Sequence, residues 1–204
     1  MTKAKQNNSP NAQSAEQLIP FDMLGLGSLG SHMMFGEIDE DRSYGAVEFI
    51  LKANLLFDDS QDLTLFVNSP GGSVSDGWSI IDCMETSRLD IQTVGMGLVA
   101  SMGLLVTSAG TKGKRVLTKN SEIMAHQFHS AIYGKYHDLV ATQKFHERLE
   151  KQFLEHFKRH SSMTEKQIKD VLFSPSDRWL TAHEAKKFGL CDVVSESFMH
   201  GIKR

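Results

Sequence analysis

Leu63-Thr64-Leu65-Phe66-Val67, followed directly by Asn68-Ser69-Pro70-Gly71-Gly72, decides the fold class. The first five residues are apolar and β-forming, and they read as a short buried strand. The next five are turn residues, and two adjacent glycines make that turn unusually flexible. A helical pattern follows, with Trp78, Ile81 and Met84 on one face. Strand, turn and helix in that order form the repeating unit of an α/β protein.

The same alternation continues downstream. Ile91–Gly95 reads as a strand, and Ala100–Ala109 as a buried helix of small and apolar residues. Arg115–Thr118 and Glu122–Ala125 read as further strands. The longest helix is expected from about Asp138 to His160, where Phe145, Leu149, Phe153 and Phe157 recur every four residues beside Leu154. Thr164 with Gln167, and Thr181 with Glu184, have the spacing of capping boxes. Gly189 ends the last helix, and Cys191–Val194 reads as a final strand. Upstream, residues 22–36 read as a glycine- and methionine-rich loop leading into a short strand. A helix is expected from Asp41, capped by that residue, with Val47, Ile50, Leu51 and Leu55 as its apolar stripe. Residues 1–18 are small and polar and read as a flexible arm, which leaves 19–204 as a single domain.

Composition narrows the function. The chain has 204 residues, 22 Lys+Arg against 25 Asp+Glu, and a net charge of −3. A phosphate-binding surface needs a basic excess, so nucleic acid is not an expected partner. The longest apolar run, Val94–Val106, is too short for a bilayer span and contains Gly and Ser, so no membrane is expected either. Two distant cysteines, Cys83 and Cys191, suit a reducing compartment such as the cytoplasm.

Three segments carry chemistry. In Gly97-Leu98-Val99-Ala100-Ser101-Met102-Gly103, a serine flanked by small residues stands between a strand and a buried helix. Small neighbours admit a substrate carbonyl, and a helix N-terminus offers free N–H groups to a developing oxyanion. The same Ser101 could simply cap a core helix. In Met124-Ala125-His126-Gln127, a histidine at a strand end suits a general base, or a structural imidazole bonded to backbone. In Ser176-Asp177-Arg178-Trp179-Leu180-Thr181, Asp177 could orient a histidine or merely take part in a turn.

Taken together, these segments resemble the Clp protease family, serine peptidases with the Clp/crotonase fold. Asn68–Gly72 looks like that family's glycine-rich loop, Ala100–Gly103 its nucleophile motif, and Met124–Gln127 its histidine motif. Asp177–Ala182, with Glu184-Ala185 and Phe188-Gly189-Leu190, looks like its aspartate segment, and Lys112–Arg115 also matches. The resemblance runs from Leu63 to Val194. It implies a repeated β-β-α superhelix with a protruding handle helix at 138–160. It implies Ser101 as nucleophile, His126 as base and Asp177 as orienting acid. It implies N–H groups of Gly72 and Met102 as the oxyanion hole, and Gly71, Gly72, Ser73 and Val74 as the edge that binds an extended peptide. The partners implied are unfolded protein or peptide, further copies in two stacked heptameric rings, and an AAA+ Clp unfoldase. No cofactor is implied.

Some positions depart from the family pattern. Thr64, Phe66, Thr86 and Val116 occupy the unfoldase-docking positions, with one aromatic among them. Pro175 and Ser176 stand where an Asp and an Arg are usual. These departures mark a divergent member, and they leave two other readings: a peptidase without an ATPase, as in capsid maturation, or a structural ring subunit. The acyl-CoA hydratases of the same fold do not require this Ser, His and Asp. His126/His129 and His156/His160 have helical spacing, but the sequence places no third ligand beside them, so no metal is expected. His156 and His160 are expected on a solvated face with Glu155, Lys158 and Arg159.

Overall fold

The computed structural model describes residues 25–127 and 135–196. The arm at 1–18 and the segment Phe128-His129-Ser130 lie outside the described residues. Seven strands form one sheet. Five of them, β1 (Ser31–Phe35), β2 (Leu63–Ser69), β3 (Ile91–Ala100), β4 (Arg115–Thr118) and β7 (Val193–Ser195), run parallel in the order β1-β2-β3-β4-β7. β3 is twice the expected length, and the sheet forks along it. Its first half pairs with β4 and its last three residues pair in parallel with β5 (Glu122–Ala125). The fork falls at Gly95-Met96-Gly97, where the register with β2 also slips. β6 (Arg178–Thr181) then pairs antiparallel with β5.

The helices cover this sheet: α1 (Glu40–Leu56), α2 (Val74–Glu85), α3 (Met102–Ser108), α4 (Tyr136–His160), the single turn α5 (Glu165–Gln167) with a π-helical turn at Ile168–Leu172, and α6 (Ala182–Lys187). Parallel strands joined by helices bury both faces, which explains why β2 is buried along most of its length. Leu63, Leu65 and Val67 are fully buried. α3 is buried along its whole length. Both expected capping boxes form, at Thr164/Gln167 and Thr181/Glu184.

The structure corrects several local expectations. Asp39, not Asp41, caps α1, accepting from the Arg42 N–H at 2.9 Å. The buried stripe of α1 is Ala46, Phe49, Ile50 and Ala53, while Leu51 and Leu55 are 55% and 83% exposed. Arg178–Thr181, read only as the approach to a capped helix, is a strand. His156 is fully buried rather than solvated. The handle helix α4 starts at Tyr136, two residues before the expected start. Phe145 is 45% exposed, so its apolar stripe reaches the core only from Leu149 onward. Among the described residues no helix is long and apolar enough to cross a membrane.

One polar lock ties the start of β4 to the residue before its neighbour β7. The Arg115 side chain, 6% exposed, donates to Asp192 through Nε at 2.9 Å and Nη2 at 2.6 Å. Asp192 also accepts from the backbone N–H groups of Gly113 and Arg115. Burial works to raise the Asp192 pKa, but the Arg115 bonds outweigh it and hold the carboxyl below its usual range. Asp192→Asn leaves a buried guanidinium without its counter-charge. It should lower unfolding free energy by about 3 kcal/mol or more, read by urea denaturation. A loss under about 1 kcal/mol, the value of a surface pair, would show that the lock is dispensable.

Candidate active site

The parallel strands end on one edge, and in open α/β sheets that edge is where sites form. β2 ends in the Gly71-Gly72 turn, β3 in Ser101, and β5 in His126. The sheet pairing brings the last two together. Ala100 stands opposite Met124, and the Ser101 N–H donates to the Met124 carbonyl at 2.9 Å. His126 follows two residues later. Ser101 and His126 line one cleft.

Ser101 has φ 52° and ψ −124°, and it is the sole non-glycine with positive φ among the described residues. That conformation costs on the order of 1–3 kcal/mol and is held by its surroundings. It breaks β3 sharply into α3, so Ser101 stands at the bend and Met102 becomes the first helical residue. The Met102 N–H is then an orphan donor at a helix N-terminus.

Gly71 and Gly72 pack against this bend, with φ of 96° and 145°. A Cβ on Gly71 would lie 2.6 Å from Ser101 Cβ and 3.0 Å from the Met102 nitrogen. On Gly72 it would lie 2.2 Å from the Ile38 carbonyl oxygen. A parallel bridge holds the loop. Ile38 N–H donates to Gly71 O at 2.7 Å, and Ser73 N–H to Ile38 O at 2.8 Å. These bonds bypass the Gly72 N–H, which is left off the ladder. Two backbone donors beside a serine can stabilise an oxyanion. Ser73 caps α2, and Val74 is its first residue, so extended backbone on this edge stops at Ser73; the Val74 side chain lines the cleft.

Asp177 lies one residue before β6. Ala125 pairs with Arg178, so one further step of the same register sets Asp177 across from His126. Asp177 is exposed and does not line the cleft with Ser101 and His126. The sequence motifs therefore bring two residues into one cleft and leave the third, Asp177, exposed outside its lining.

The cleft encloses a cavity of about 150 Å³. Its apolar floor is Leu105, Phe153, Phe157, Leu172 and Phe173, and Glu150 stands on one wall. Phe153 and Phe157 belong to the stripe that recurs every four residues along α4. The signal that they also line a site was Glu150, three residues before Phe153 on the same helical face. Gln127 donates from Nε2 to the Phe173 carbonyl at 2.8 Å, and both residues line the cavity.

A serine at a strained bend, a histidine in the same cleft and a glycine turn packed on that bend are parts from which an acyl-transfer hydrolase can be built. Comparison with known proteins defines the class further. The profile of the Clp protease family matches residues 31–198. ATP-dependent Clp protease proteolytic subunit 2 of Corynebacterium diphtheriae is 41% identical over 141 residues, 69% of this chain and 69% of the relative. Proteolytic subunit 1 of Leifsonia xyli subsp. xyli is 39% identical over 166 residues, 78% of this chain and 80% of the relative. The chain belongs to the Clp protease family.

Proposed function

We propose that this serine endopeptidase of the Clp family cuts extended, unfolded polypeptide through a Ser101–His126–Asp177 acyl-enzyme mechanism, as the proteolytic subunit of an ATP-dependent assembly. The observation that carries the reading is the shared cleft of Ser101 and His126 beside the Gly71-Gly72 turn. His126 takes the Ser101 proton as Oγ attacks the scissile carbonyl carbon. The oxyanion is held by the N–H groups of Gly72 and Met102. The C–N bond then breaks, and His126 gives the proton to the leaving amine. Water enters, yields a proton to His126 and attacks the acyl carbon, and Ser101 recovers its hydrogen as the acid leaves. Asp177 fixes the imidazole tautomer and stabilises the imidazolium. Backbone at Gly71–Ser73 pairs with the peptide, which binds many sequences with little side-chain selectivity.

Selectivity then rests on the cavity. An apolar floor with Glu150 on the wall favours a leucine- or methionine-sized side chain before the cut and disfavours an acidic one. Fluorogenic peptides differing only at that residue test this. Leu should exceed Asp on the order of 10²-fold in kcat/KM, the size of a few methylenes of discrimination. Equal rates would remove the cavity from substrate recognition, and no hydrolysis of any peptide would overturn the peptidase reading for the isolated assembly.

Residues 19–204 act as one peptidase domain. Exposed apolar side chains support assembly into stacked heptameric rings. Tyr44, Leu55 and Leu56 on α1 are 67%, 83% and 76% exposed, and Tyr136, Leu139 and Phe145 project along the first half of α4. The names of the relatives support an AAA+ Clp unfoldase as partner and weigh against an ATPase-independent or purely structural role. Two unpaired thiols, Cys83 and Cys191, support the cytoplasm as its location.

A further inference from the structure

His156 has no part in the cleft, yet it is 0% exposed. Its Nε2 lies 2.9 Å from Ser108 Oγ, and that hydroxyl lies 2.9 Å from the Leu105 carbonyl. A carbonyl only accepts, so the single hydroxyl proton goes to Leu105. The imidazole must then donate Nε2–H to Ser108. Nδ1 is left as a bare lone pair, buried and without a hydrogen-bond partner among the described residues. Burial, with help from the nearby His160 and Arg159, pushes the His156 pKa down to about 3. One helical turn on, the His160 ring stands 4.6 Å from the His156 ring. His160 Nε2 lies 2.9 Å from Oε1 of Glu85, the last residue of α2. Arg159 donates to the same oxygen at 3.0 Å, so Glu85 Oε2 accepts no hydrogen bond among the described residues. One ring nitrogen of each histidine and one Glu85 oxygen fall within 4.8 Å of one another.

We propose that Glu85, His156 and His160 form a binding site for a divalent transition-metal ion of the zinc class. Two imidazoles and a carboxylate are ligands of that class, and water supplies the fourth position. The Ser108 bond matches the outer hydrogen bond that fixes the tautomer of metal-bound histidines. Tetrahedral bonds of about 2.0–2.1 Å need ligand atoms about 3.3 Å apart, so the three side chains draw in by roughly an ångström. His160 moves its proton from Nε2 to Nδ1 on binding. Arg159 is 55% exposed and free to swing out, and Arg115, the other nearby cation, is paired with Asp192. Glu85, Arg159 and His160 line a surface groove that gives the ion its access. The ion joins the end of α2 to α4. α2 begins at the glycine turn, and α4 carries Phe153 and Phe157 of the cleft. Its role is to brace the site, not to react.

The test is a titration of the full, metal-stripped protein with Co²⁺, followed by visible absorption and by thermal unfolding, then displacement by Zn²⁺. One Co²⁺ per chain with a four-coordinate spectrum and a raised Tm is expected. His160→Gln and Glu85→Gln should each weaken binding about tenfold or more while leaving the metal-free Tm near that of the parent. These two partly exposed positions carry the test even if His156→Leu fails to fold. No saturable binding, a six-coordinate spectrum, or unchanged affinity in both variants would overturn the site and leave Glu85, Arg159 and His160 as a surface ion pair.

Discussion

Ser101→Ala should abolish peptide hydrolysis while leaving the fold intact. Removing the nucleophile of a serine peptidase costs on the order of 10⁵–10⁶-fold in kcat. The remaining cleft, with His126 and the Gly71-Gly72 turn in place, keeps its shape, so KM should change little. Stability should hold or rise slightly. Ser101 makes no side-chain cap bond to α3, so its hydroxyl is not needed to start that helix. Steady-state kinetics on a fluorogenic peptide, with Tm as the control, reads both. Activity within about tenfold of the parent would remove Ser101 from the chemistry.

Gly71→Ala should be among the most damaging changes away from Ser101 and His126. The new methyl would sit 2.6 Å from Ser101 Cβ and 3.0 Å from both the Ala100 carbonyl and the Met102 nitrogen. Those atoms are backbone or directly on it, so no flexible side chain can yield. Gly71 also has φ 96°, which an alanine adopts only with strain. Either the turn or the serine bend must move. Loss of one oxyanion donor alone costs about 10²–10³-fold in kcat, and displacement of Ser101 adds to it. We expect a fall of at least about 10²-fold, in kcat more than in KM, with some loss of Tm. Full activity would show that the turn does not set the geometry of the nucleophile.

Much of the fold was legible because its determinants are local. β2, β4 and β5 are short apolar runs closed by turn residues, and both capping boxes are three-residue patterns. The catalytic candidates were legible as motifs, and parallel pairing of β3 with β5 brought Ser101 and His126 to one edge. The features that were misread depend on tertiary partners. α1 has two apolar faces, and nothing local decides that Phe49 and Ile50 face the sheet while Leu51 and Leu55 face outward. Asp39, Glu40 and Asp41 form an acidic run in which any could cap, and the approach of the chain from Ile38 selects Asp39. Arg178–Thr181 buries only Leu180, so its strand character comes from β5 rather than from its own residues. His156 sits among Glu155, Lys158 and Arg159, and only its contacts with Ser108 and Trp78 reveal it as core.

The central claim is that Ser101 is a nucleophile activated by His126. The most direct measurement is intact-mass analysis of the assembled, full-length protein after treatment with a fluorophosphonate, for the parent and for Ser101→Ala. A single adduct on the parent and none on the variant is the expected result. An assembled parent that takes no adduct, or an adduct that persists in Ser101→Ala, would contradict it.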